Sequence, residues 1–154
     1  MAGSLTFLTF RHANVADSAL LARLNQQLLQ DENHRNQKMT IAELEQRMRG
    51  WLASEYAAVF FELEGEVVAY ILYREQPAEI YLRQLFVDRK RRRQGIGREA
   101  MRIIRTRIWP RHKRLTVDVL VENTVAIAFW RSVGYRDYYL ALEISPEESP
   151  GQCP

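Results

Sequence analysis

The stretch that most constrains the fold is DRKRRRQGIGREA, residues 88–100. It joins two segments of different period. Before it, Glu79 to Val87 reads as a strand. After it, Ile96, Ala100, Ile103, Ile104 and Ile108 recur at helical spacing, so Gly95 to Trp109 reads as a helix that stops at Pro110. Between them lie seven residues, Asp88 to Gln94, of which Arg89 to Arg93 are all cations. A helix N-terminus already carries about half a positive charge, so cations there repel it and one another. An arriving anion resolves the conflict. The glycine pair Gly95 and Gly97 lets backbone N–H groups approach a phosphate closely, with no Cβ in the way. Strand, cationic glycine turn and helix together form a phosphate site.

The rest of the chain supplies one domain around that unit. At 154 residues it is long enough to bury a sizeable core. Leu5 to Phe10 reads as a first strand. Asp17 is placed to cap a helix lined by Leu20, Leu21, Leu24 and Leu28. Residues 31–38 form a polar loop. Thr40 and Glu43 make a capping box ahead of Ile41, Leu44, Met48 and Trp51. Tyr56–Leu63 and Val67–Tyr73 form a hairpin turning at Glu64-Gly65. Leu115 to Val121 is a strand, Thr124 to Val133 a short helix ending at Gly134, and Tyr135 to Ile144 a final strand. The order β-α-α-β-β-β-α-β-α-β predicts a single α/β (α+β) domain over residues 1–144, with a loose tail at 145–154. It should hold a mixed, mostly antiparallel sheet of six to seven strands and about four helices.

Charge narrows the partners. Net charge is only +3, yet Arg89 to Arg114 holds twelve Lys or Arg against one acid, Glu99. That asymmetry favours an anionic ligand over a basic chain as a whole. Nucleic acid is not expected, because Trp109 and His112 are the only rings in the basic stretch and no stacking aromatics interleave the cations. His12, His34 and His112 lack metal-ligand spacing, so no metal is expected. The lone Cys153 cannot form an intramolecular disulfide, which fits a cytoplasmic, reducing setting. No segment reads as a leader or a membrane span. A Walker loop does not occur. Gly95 to Ala100 fits the dinucleotide pattern G-x-G-x-x-A, but the long cationic insertion after the strand is foreign to that fold.

Arg92-Arg93-Gln94-Gly95-Ile96-Gly97 resembles the R-x-x-G-x-G loop of the GNAT superfamily of N-acetyltransferases. It follows a strand ending in Leu85-Phe86-Val87, as in that family. Downstream, NTVAIAFWRSVGY, residues 123–135, is similar to the family's N-x-x-A-x-x-F-Y-x-x-x-G-F, with Trp130 for Tyr and Tyr135 for Phe. The resemblance covers residues 79–135. It implies acetyl-CoA as co-substrate and an amine as acceptor, joined by direct attack in a ternary complex. The backbone at Leu85, Phe86 and Val87 would hold the pantetheine arm. Arg92, Arg93, Gln94, Gly95, Ile96, Gly97 and Arg98 would hold the pyrophosphate, with Arg89, Lys90 and Arg91 steering it in. Asn123, Phe129 and Trp130 would flank the arm from the opposite side.

The acid and base of the family are not in their usual places. Tyr81 stands where many relatives carry a glutamate base, and Trp130 where many carry a tyrosine acid. An indole N–H cannot serve as that acid. The candidates for proton transfer are therefore Glu79, Tyr81, Glu32, His34 and Tyr138, with Tyr135 and Tyr139 as further phenols. Arg83 and Gln84 could orient the acceptor. The expected acceptor is the primary amine of a small molecule. A protein or peptide amine, or acyl-CoA binding without turnover, are the alternatives. A monomer or a homodimer fits equally well.

Overall fold

The computed structural model describes residues 8–32 and 38–146. Its elements are β1 (Thr9–His12), α1 (Ser18–Asp31), α2 (Ile41–Leu52), β2 (Tyr56–Leu63), β3 (Glu66–Glu75), β4 (Glu79–Val87), α3 (Ile96–Ile103), β5 (Arg114–Val117) and α4 (Thr124–Ser132). Among the described residues the sheet has five strands in the order β1-β2-β3-β4-β5. Neighbours are antiparallel except β4 and β5, which are parallel. The mixed, mostly antiparallel sheet and the four α-helices agree with expectation; the strand count is lower.

Local chemistry sets the element ends. Thr40 and Glu43 form the expected capping box at α2, with Glu43 N–H donating to Thr40 Oγ1 at 3.1 Å and Thr40 N–H to Glu43 Oε1 at 2.8 Å. Glu64 and Gly65 turn the hairpin with φ of 53° and 80°, the left-handed pair a two-residue turn requires. Asp17 does not cap α1. It closes a capping box with Asn14 around the short 3-10 turn Val15–Asp17 instead. α3 is α-helical only to Ile103, then widens into a π-turn over Ile104–Ile108 and ends before Trp109, whose N–H donates to Ile104 O at 2.8 Å.

The two faces of the sheet carry separate cores. α1 and α2 cover one, built on Leu21, Met48, Phe60, Tyr70, Leu72 and Phe86. α3 and α4 cover the other, built on Phe61, Ile71, Ile80, Leu82, Ile103 and Trp130. A bulge in β4 exchanges its faces. Leu72 pairs with Gln84 and Tyr73 with Leu82, which leaves Arg83 as the extra residue. Before the bulge, Ile80 and Leu82 face α3; after it, Phe86 belongs to the α1–α2 core. An even-numbered residue therefore changes side within one strand.

Two strand expectations are corrected. The strand expected over Leu115–Val121 stops at Val117, because the chain leaves the sheet at Asp118. Tyr135–Ile144 is not part of the sheet at all. Tyr138, Leu142 and Ile144 are 76%, 86% and 99% exposed, so the apolar alternation there has no ladder to join. Of the first predicted strand, Leu5–Phe7 lies outside the described residues, as does the tail from 147. Among the described residues no helix is long and apolar enough to cross a membrane.

Candidate active site

The parallel ladder of β4 and β5 is short. It runs from Glu79–Arg114 to Leu82–Val117 and stops. β4 continues for five more residues to Val87, still paired with β3 through Leu85–Ile71, Phe86–Tyr70 and Val87–Ala69. On the β5 side, the backbone of Leu85 to Val87 has no strand beside it among the described residues. A wedge thus opens between two strands of one sheet, and its β4 wall offers peptide groups to an extended, amide-bearing molecule. Tyr81 and Asp118 mark the apex, where the phenol donates to Asp118 Oδ2 at 3.0 Å. Desolvation, reinforced by the Asp118 charge, pushes the Tyr81 phenol up to about 12.

The cationic loop lies at the open end of β4. Asp88 accepts from Lys90 N–H at 3.0 Å and starts a 3-10 turn at Arg89–Arg91. Arg93 and Gly95 then take positive φ, 64° and 76°. Gly95 occupies the N-cap position of α3 without a side chain to cap it, so the first amides of the helix are left for a ligand. Gly97 follows in the first turn, where a Cβ would lie 3.3 Å from the Phe129 ring.

The cations are not all waiting. Arg89 and Arg92 both donate to Asp31 at the end of α1, at 2.6 and 2.5 Å. Arg91 approaches Glu66 at 3.9 Å. Arg98 donates to the Ser132 carbonyl at 3.3 Å and to its hydroxyl at 2.9 Å, tying α3 to α4. Lys90 and Arg93 have no side-chain partner among the described residues. Sequence reading missed Asp31 as the counter-ion; the cluster of cations implies one, but spacing does not say where.

α4 forms the opposite wall. Asn123 caps it, its Oδ1 accepting from Ala126 N–H at 3.1 Å. Phe129 lies against Gly97. Trp130 is only 8% exposed and packs edge-on to Phe129 at 5.0 Å and Tyr135 at 5.3 Å, in the core under the wall. Between the end of α1 and the start of α4 is a cavity of about 280 Å³ lined by Asp31, Glu32, Leu120, Glu122 and Asn123. The Glu32 residue as a whole stays exposed, yet partial desolvation of its carboxyl raises its pKa, and Asp31 raises it further against the pull of Arg92.

The proton-transfer candidates do not converge. Glu79 is ion-paired to Arg114 at 3.1 Å, and the Arg114 guanidinium covers the Tyr138 ring at 4.4 Å. That cluster sits at the start of β4, about 26 Å from Val87 at a strand's rise per residue. Tyr81 is at the apex and Glu32 at the mouth. His34 lies outside the described residues. Gln84 accepts from the buried Tyr70 hydroxyl at 2.7 Å, and Arg83 donates to Tyr56 Oη at 3.2 Å. No cluster of His, Cys, Asp and Glu able to hold a metal occurs among the described residues.

Comparison with known proteins agrees with the wedge. A sequence profile described as the acetyltransferase (GNAT) family matches residues 21–135, well over half of the chain. No curated protein matches the sequence. Among solved structures, a possible acetyltransferase from Clostridium difficile 630 superposes with a TM-score of 0.71 at 19% identity, covering 92% of this chain and 99% of that one. An aminoglycoside N-acetyltransferase in complex with CoA gives 0.71 at 12% identity, covering 90% and 94%. An aminoglycoside acetyltransferase from an uncultured soil metagenomic sample, in complex with sisomicin, gives 0.69 at 16% identity, covering 94% and 98%. At such identities these structures share the fold. With the sequence profile, the splayed β4–β5 pair and the glycine turn at α3, the chain belongs to the GNAT family of acetyltransferases, and is an acyltransferase.

Proposed function

We propose that this chain transfers the acetyl group of acetyl-CoA to the primary amine of a small molecule, by direct attack in a ternary complex. The observation that carries the reading is the wedge: β4 loses its β5 neighbour at Leu82 and runs on to a glycine turn at a helix N-terminus. The residues present fit CoA. Leu85 to Val87 present backbone groups to the amides of the pantetheine arm. The amides of Ile96, Gly97 and Arg98, at the start of α3, would receive the pyrophosphate, with Lys90 and Arg93, which have no side-chain partner among the described residues, near them in the chain. Asn123 and Phe129 close the other side.

Acetyl-CoA supplies the activated thioester; the chain must supply an uncharged amine. At neutral pH an alkyl ammonium costs roughly 4–5 kcal/mol to deprotonate. Glu32 is the base this site favours, because it lines the cavity at the mouth and its raised pKa makes it a stronger proton acceptor. A backbone N–H near Val87 would receive the charge that develops on the carbonyl oxygen. Tyr81, held neutral and bonded to Asp118, anchors the apex.

Thermal unfolding with and without acetyl-CoA tests the binding half. A ligand at a hundred times its Kd adds about 2.7 kcal/mol, a shift of a few degrees. Thiol release on adding amines tests the transfer half. No shift with acetyl-CoA at millimolar concentration would remove the reading.

A further inference from the structure

α2 and β4 place two guanidinium groups on one indole. Arg47 lies 4.6 Å from the Trp51 ring and Arg83, the bulged residue of β4, lies 4.7 Å from it. Arg83 also reaches the Tyr56 ring at 5.8 Å and donates to its hydroxyl at 3.2 Å. Neither guanidinium has a carboxylate partner among the described residues. Arg11, Arg49, Arg74, Arg89, Arg92, Arg102, Arg114 and Arg131 each hold an acid; Arg98 and Arg105 instead donate to Ser132 and Val133, and what sets Arg47 and Arg83 apart is that they share one indole. Arg47 Nε is sealed from solvent with no acceptor among the described residues. Burying a guanidinium N–H without a partner is costly, and placing a second cation beside it adds to the cost. Desolvation and the Arg83 charge together lower the Arg47 pKa, with the Tyr70 phenol opposing.

The pair also has a place relative to the site. The buried Tyr70 feels the charges of both Arg47 and Glu32, and donates to Gln84, the residue after Arg83. Arg83 and Gln84 are the first residues of β4 past the end of its ladder with β5, at the start of the wedge.

We infer that the acceptor is an amino carboxylate, an amino acid or a close analogue, whose carboxylate is received by Arg47 and Arg83 while its ammonium is directed to Glu32. This rests on the acetyltransferase reading above. A planar carboxylate matches the fork of a guanidinium, and both guanidiniums already pack on the Trp51 ring. Polycationic acceptors are disfavoured by the same pair. The acceptors of the aminoglycoside enzymes that share this fold are therefore not expected here.

The test is thiol release from acetyl-CoA with the twenty amino acids and β-alanine, each beside its own carboxamide, with spermidine and an aminoglycoside as cationic controls. At least one amino acid should exceed its carboxamide in kcat/KM by about ten- to a hundredfold, the range for a lost charge-assisted hydrogen bond. In Arg47→Gln and Arg83→Gln that ratio should fall towards one, mostly through KM. The ratio is taken within each variant, so partial loss of folded protein does not affect it. Carboxamides or polyamines used as well as the acids would overturn the inference and leave the acetyltransferase reading standing. So would an acid-to-carboxamide ratio that survives both substitutions. Failure of acetyl-CoA to shift unfolding would instead strike the reading beneath it, and the inference with it.

Discussion

Phe129 on α4 closes over Gly97 on α3: a β-carbon at Gly97 would meet ring atoms Cε1 and Cζ at 3.3 Å and Val87 Cγ2 at 3.6 Å. The glycine is thus required by packing as well as by access to its amide. Gly97→Ala gains helix propensity of up to about 1 kcal/mol but overpacks a site where three elements meet, at about 1–3 kcal/mol. The expected balance is a loss of about 1 kcal/mol in urea unfolding. Phe129→Leu makes room, so the double variant should recover most of that loss in a double-mutant cycle. A Gly97→Ala protein more stable than the parent would show that the ring yields freely.

Asp31 competes with the expected pyrophosphate for Arg89 and Arg92. Its side chain is 12% exposed while theirs are 51% and 45%, so the two cations lean on an acid that is largely fixed. Asp31→Asn should free both and tighten acetyl-CoA binding several-fold at low salt, since exposed pairs are each worth up to about 1 kcal/mol. The gain should shrink as salt screens the freed charges. Arg92→Glu should act in the opposite direction and weaken binding at least tenfold. Calorimetric titration at two salt concentrations reads both, and an unchanged Kd in Arg92→Glu would remove that loop from the cofactor site.

Glu32 provides a pH signature of known sign. Its folded pKa is raised above the ordinary 4.5 by desolvation first and by Asp31 second. The native state therefore holds this proton more tightly than the unfolded chain does. Its contribution to stability is greatest below the unfolded pKa and is lost as pH rises through the window above it. Glu32→Gln should flatten the fall in Tm over that window. If Glu32 is the base, kcat/KM should climb with pH as the carboxyl loses its proton, and Glu32→Gln should lower the rate by about a hundredfold or more and abolish that limb. A limb that persists in Glu32→Gln assigns the base to another group.

How far the sequence foretold this arrangement depends on how local each signal is. The capping box at Thr40, the hairpin at Glu64-Gly65 and the glycine turn at α3 are written in adjacent residues, and each is where spacing placed it. The wedge has no local mark, because splaying is a relation between Leu82 and Val117, which lie on different strands. The Arg83 bulge left no mark in the alternation of β4, and it is what brings Gln84 to the same face as Arg83 and sends Phe86 to the α1–α2 core. Asp31, Asp118 and Arg47 gave no local sign either; each matters through a partner distant in sequence. The final strand failed for the converse reason. Alternation at Tyr135–Ile144 is a local signal, but a strand exists only where an edge pairs with it.

Asn123 separates two roles that coincide at one side chain. Its Oδ1 caps α4 through Ala126 N–H at 3.1 Å, and the same residue lines the cavity with Asp31, Glu32 and Glu122. Asn123→Ala loses both and should cost about 1 kcal/mol of stability, as N-cap removals do. Asn123→Asp keeps the acceptor oxygen and adds a charge that favours the helix N-terminus, so Tm should hold or rise slightly. The new carboxylate enters a cavity that already has three, raises the Glu32 pKa further and repels an incoming anion. Asn123→Asp should therefore keep the fold yet bind acetyl-CoA less tightly and shift the kcat/KM limb to higher pH. If instead Asn123→Asp binds acetyl-CoA as the parent does, Asn123 is a helix cap and nothing more, and the wall of the wedge begins at Phe129.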